Sequence, residues 1–108
     1  MNSKRFLATI PSQTAQTLRT CARQQRVDLS LIVQQAVTEM SGTRPTREDI
    51  TYIRGDTEGV QVSFSDTAYR LLELWSEQTG LSKSLLVAYS LQKTIETEEQ
   101  TEKEGITS

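Results

Sequence analysis

The chain reads as a mostly helical protein built around one two-stranded antiparallel β-ribbon, and three observations predict it. The stretch Arg5-Phe6-Leu7-Ala8-Thr9-Ile10-Pro11 alternates apolar and polar side chains, the period of a strand with one buried face. A second stretch, Gly59-Val60-Gln61-Val62-Ser63-Phe64-Ser65, restates it 54 positions later. Each is followed by two segments whose apolar residues fall at helical spacing, so the order strand, helix, helix occurs twice.

The first strand buries Phe6, Ala8 and Ile10 and turns Arg5, Leu7 and Thr9 outward. Pro11 ends it for want of a ladder N–H, and Ser12 is the expected cap of the next helix. From Ser12 to about Gln25, Ala15, Leu18, Cys21 and Ala22 form a weak apolar face, with Cys21 read as a small core residue. Arg26-Val27 makes a turn and Asp28 caps a second helix. Leu29, Ile32, Val33, Ala36, Val37 and Met40 give that helix the strongest periodicity in the chain, and Gly42 is expected to end it.

Residues 43–58 form a connector in which Thr46 is expected to cap one helical turn carrying Ile50 and Ile53. At roughly 3.3 Å per residue it spans up to about 50 Å, so it does not dictate where the second strand must lie.

The second copy aligns with the first without a gap: Ile10 matches Phe64, Leu18 matches Leu72, Cys21 matches Trp75, Asp28 matches Ser82 and Ser30 matches Ser84. Its first helix runs from about Asp66 to Thr79 with Ala68, Leu71, Leu72 and Trp75 inward, closed by a left-handed Gly80. Ser82 caps the next, where Leu85, Leu86, Val87, Ala88, Leu91 and Ile95 cover more than one face and predict a central position. Residues 98–108 are expected to be an acidic, frayed tail. A single strand cannot satisfy its own backbone groups, so the two copies are expected to pair as one intertwined pseudo-twofold domain, residues 1–97 (repeats 4–42 and 59–97).

At 108 residues the chain has room for one modest core. It has no His and one Cys, which removes the main side chains of catalysis and metal binding and any internal disulfide; neither an enzyme nor a cofactor is expected. No apolar run reaches membrane length and no signal pattern follows Met1, so a cytoplasmic protein with no membrane partner is expected. Residues 1–54 carry eight basic and four acidic side chains, residues 55–108 four basic and ten acidic. Such an asymmetry points to a polyanion facing the first half.

The two strand motifs, together with Gly80-Leu81-Ser82-Lys83-Ser84-Leu85-Leu86 at the turn into the last helix, resemble the ribbon-helix-helix DNA-binding family, which includes the Arc and methionine repressors. The resemblance covers residues 4 to about 96 as tandem copies, a single-chain pseudo-dimer where usual members are homodimers. It implies insertion of the ribbon into the major groove of double-stranded DNA, with Arg5, Leu7, Thr9, Gln61 and Ser63 reading bases and Gly59 silent. It further implies phosphate contacts at the start of the second helix of each copy, through Leu29, Ser30, Lys83 and Ser84, with Lys4 before the first strand as a further phosphate-binding residue. Asp28 fits a phosphate site poorly, the second half is acidic, and the strands differ, so a one-sided grip and a site that is not a perfect palindrome are expected. The implied role is a transcriptional repressor or regulator of bacterial, plasmid or phage type, with self-association on adjacent sites. The alternative is a ribbon-helix-helix protein-interaction module, antitoxin-like or a nucleoprotein assembly factor, that takes a protein partner through the acidic second half.

Overall fold

Alternation of apolar side chains sets the two strands. The computed structural model describes residues 3–46 and 56–94, and in it β1 (Ser3–Pro11) and β2 (Thr57–Ser65) pair antiparallel. The register places Leu7 opposite Gln61, Arg5 opposite Ser63 and Thr9 opposite Gly59. Ala8, Ile10, Val60, Val62 and Phe64 are buried on the inner face. Both strands are longer than their alternating cores, and β2 begins within the segment read as connector.

Four helices among the described residues pack under that inner face: α1 (Ser12–Gln25), α2 (Leu29–Met40), α3 (Asp66–Thr79) and α4 (83–94). Each of β2, α3 and α4 begins 54 positions after β1, α1 and α2 respectively. Ala15, Leu18, Leu72 and Trp75 of α1 and α3 line the core. In α4 the run from Leu86 to Leu91 is buried without interruption, as its all-round apolar character predicts. Trp75 Nε1–H donates to the Thr43 carbonyl at 2.8 Å, which fixes the chain leaving α2 against α3.

The helix ends follow local chemistry, with corrections to the sequence reading. Asp28 caps α2 by accepting from Ser30 N–H, and Ser82 accepts from Leu85 N–H. Ser12 does not cap α1: Pro11 holds the cap position, whose side chain offers no acceptor, and Ser12 is the first helical residue. The matching cap of α3 is Ser65, which accepts from Ala68 N–H at 3.2 Å. Gly42 is not the stop of α2; the helix ends at Met40, and Gly42 has no positive φ. Gly80 takes the left-handed conformation at φ 73°, and the corresponding end of α1 puts Arg26 there at φ 57°. Cys21 is half-buried, at the margin of the core. The expected turn carrying Ile50 and Ile53, and the tail 98–108, lie outside the described residues.

Candidate functional site

The face of the ribbon turned away from the helices is assembled from odd-numbered residues. Arg5, Leu7, Thr9 and Gln61 are exposed there and Ser63 is half-buried, so all five predicted reading residues lie on one surface. They form cross-strand rows: Arg5 with Ser63 at one end, Leu7 with Gln61 in the middle, Thr9 with Gly59 at the other. Leu7 leans over Gly59: a Cβ there would stand 3.0 Å from Leu7 Cδ1.

A two-stranded ribbon leaves an unpaired backbone edge on each strand, and here side chains from the helices take those edges up. Ser63 N–H donates to Ser30 Oγ at 2.9 Å, and Thr9 N–H donates to Ser84 Oγ at 3.2 Å. Gln34 adds a two-point clamp: its Nε2 donates to the Ser63 carbonyl and its Oε1 accepts from Ser65 N–H, each at 3.1 Å. The second helix of the first half therefore holds β2, and the second helix of the second half holds β1. The Ser30 and Ser84 oxygens each accept one N–H from the ribbon, and Ser30 is buried; each keeps its O–H hydrogen, the part a phosphate oxygen would accept. Leu29 packs its side chain against the core, leaving only its backbone as a candidate contact.

The flanks of the ribbon are unlike. Lys4 and Lys83 converge on Tyr69 of α3: their Nζ atoms lie 5.0 and 4.9 Å from the ring centroid, and Lys83 Nζ donates to Tyr69 Oη at 3.2 Å. The ring is seated on Phe6 and Phe64, with centroids 6.4 Å away in both cases. Two ammonium groups are thereby held beside the start of α4. At the far end of β2, Glu58 meets Arg19 of α1 at 2.9 Å, so a basic side chain there is neutralised by an acidic neighbour. Asp28 places a carboxylate on the first turn of α2.

Comparison with family models, curated proteins and solved structures returns no match. The candidate site therefore stands on its geometry. Among the described residues no group of three His, Cys, Asp or Glu side chains is placed to hold a metal ion, and no helix is long and apolar enough to cross a membrane.

Gln34, Tyr69, Arg19 and Glu58 were not singled out by the sequence. Gln34 carried a faint signal, since it follows Ser30 by four positions and so shares a helical face with it beside the apolar stripe. Tyr69 gave none, because its partners come from β1, β2 and α4.

Proposed function

We propose that the chain is a sequence-specific binder of double-stranded DNA of the ribbon-helix-helix type, acting as a transcriptional repressor or regulator. The two strand-helix-helix halves are read as tandem repeats forming a pseudo-dimer. The observation that carries the proposal is the paired ribbon, whose helix-free face presents Arg5, Leu7, Thr9, Gln61 and Ser63 together. Two strands about 4.8 Å apart fit a major groove about 12 Å wide, and these side chains match base-edge chemistry. Arg5 suits guanine, Gln61 suits adenine, and Leu7 and Thr9 suit a thymine methyl.

The pseudo-dimer reading draws on the register. With an offset of 54, Leu7 corresponds to Gln61, the residue it faces across the ribbon, which is where a twofold axis would pass. The Ser30 to Ser63 and Ser84 to Thr9 bonds are related by the same offset. Lys4 and Lys83 are proposed as phosphate contacts, with backbone N–H groups at the starts of α2 and α4 assisting. The Arg19–Glu58 pair and Asp28 weaken the opposite flank, which favours a one-sided grip.

Fluorescence anisotropy with labelled random duplex at low salt, then a salt titration, tests the proposal. The expected result is binding that falls by orders of magnitude between about 50 and 200 mM salt, and falls further with Arg5→Ala. Absence of duplex binding at low salt would refute it. A second reading, the protein-interaction module, draws on Leu74, which is 50% exposed on α3 beside a shallow groove lined by Asp66, Thr67, Arg70 and Leu71. A partner protein that co-purifies with the chain and is lost on Leu74→Lys, in the absence of DNA binding, would establish it instead.

A further inference from the structure

Two features of the outward face look like defects taken singly. Leu7 is 63% exposed at the centre of an otherwise polar surface. Gly59 sits inside a strand, where glycine weakens pairing and supplies nothing to pack. No backbone demand selects it, since Gly80 is the glycine of positive φ among the described residues. The two features explain one another through space: a Cβ on Gly59 would come within 3.0 Å of Leu7 Cδ1, 3.4 Å of Cγ and 3.5 Å of Cδ2. Any side chain at 59 obliges Leu7 to give by a few tenths of an ångström, whereas glycine leaves room for it to lean over the second strand.

The consequence is a ribbon face with unlike ends. Around Gly59 the surface is low and apolar, formed by the Leu7 methyls, the glycine backbone and Thr9, which pairs with Gly59. At the other end Arg5 faces Ser63, a donor-rich row. The apolar feature of a major groove is the C5-methyl group of a pyrimidine, carried by thymine and by 5-methylcytosine alike. A flat patch admits such a methyl, and a protruding side chain would hold the base edge away.

Resting on the DNA-binding reading above, we propose that Gly59 is a specificity-determining residue. By seating Leu7 it creates a methyl-reading end that selects a C5-methylated pyrimidine, opposite a hydrogen-bonding end at Arg5 and Ser63 that selects a purine. The bound duplex then has a direction.

The test uses the full chain and a duplex it selects from a random-sequence pool. Each thymine is replaced singly by uracil, which removes the methyl and leaves the hydrogen-bonding edge unchanged. Affinity is expected to fall about fourfold at positions confined to one half of the site. Where the selected site carries cytosine in that half, its 5-methylation is expected to raise affinity by a similar factor. Leu7→Ala, whose side chain lies outside the core, should erase the uracil effect, and Gly59→Ala should reduce it while the purine preference of the other half persists. Duplex binding that is insensitive to uracil, equally sensitive in both halves, or unchanged in sensitivity in Gly59→Ala overturns the proposal and leaves the DNA-binding reading standing. Failure to bind any duplex at low salt overturns both.

Discussion

Ser30→Ala and Ser84→Ala remove equivalent hydroxyls from α2 and α4, yet they should differ in their effect on stability. Ser30 is 7% exposed, and its Oγ accepts from the half-buried Ser63 N–H at 2.9 Å, beside a Ser63 carbonyl already held by Gln34. Without Ser30 that N–H is left without an acceptor in a place poorly reached by water, which costs about 2 kcal/mol. Thr9, whose N–H meets Ser84 Oγ at 3.2 Å, is exposed, so water can replace the lost oxygen at a net cost of about 0.5 to 1 kcal/mol. The gain in helix propensity from Ser to Ala is similar at both sites and cancels in the comparison. Ser30→Ala is therefore expected to be less stable than Ser84→Ala by about 1 kcal/mol, or roughly 4 to 8 °C in Tm for a domain near this size. Equilibrium urea unfolding followed by the fluorescence of Trp75, the single tryptophan and fully buried, reads the difference with m unchanged. A cycle with Gln34→Ala should show coupling of about 0.5 kcal/mol or more, because both side chains hold the same piece of β2. Equal losses, or a larger loss for Ser84→Ala, would refute the argument that burial of the ribbon edge sets the cost.

Gly80→Ala should destabilise by about 1 kcal/mol in thermal melts, and Arg26→Gly should stabilise by up to about 1 kcal/mol, since Arg26 bears the left-handed conformation that Gly80 adopts without steric penalty. Trp75→Phe removes both the donor to the Thr43 carbonyl and part of a fully buried ring system, and should lower stability by about 2 kcal/mol or more in a urea titration followed by circular dichroism. Under the proposed function, Lys83→Ala should weaken binding to all duplexes alike and reduce the magnitude of the salt slope by about one. Arg5→Ala should instead relax the preference at one base pair by about 1 to 3 kcal/mol, measured by competition between the selected duplex and its single-base variants.

The ribbon was legible because a period of two and a period of 3.6 are both local: Phe6, Ala8 and Ile10 announce a strand without knowing its partner, and Val33, Ala36 and Val37 announce a helix. The duplicated order of elements then implied which strands pair. What stayed hidden depends on distance along the chain. Ser30 looks like a first-turn helix residue, and nothing near it in sequence reveals that its oxygen reaches Ser63. Ser84 meets Thr9 across a still longer separation. Tyr69 gathers Lys4 and Lys83 only because β1 and α4 both come to rest against α3. The cap of α1 was misread for a different reason: Ser12 has the right side chain, but Pro11, with its fixed φ, occupies the turn one position earlier.

Under the proposed function, the same folding logic explains why the two halves have diverged where they have. Each strand has an edge to close, and serine stands at both positions, Ser30 and Ser84, while the Gln34 clamp of α2 has Ala88 at the corresponding place in α4. The outward rows carry no such demand, since an exposed side chain there contributes little to the core, and they differ: Arg5 corresponds to Gly59, Leu7 to Gln61 and Thr9 to Ser63. In a homodimer a change at one outward position appears twice, related by the twofold axis, and keeps the site palindromic. In a fused chain each row changes alone, so the ribbon can hold Arg5 opposite Ser63 at one end and bare backbone opposite Thr9 at the other. The flanks diverge in the same sense, with two lysines on Tyr69 and an Arg19–Glu58 pair on the other side. Stability thus keeps the inner face apolar and a serine at each clasp, while recognition is free to become directional.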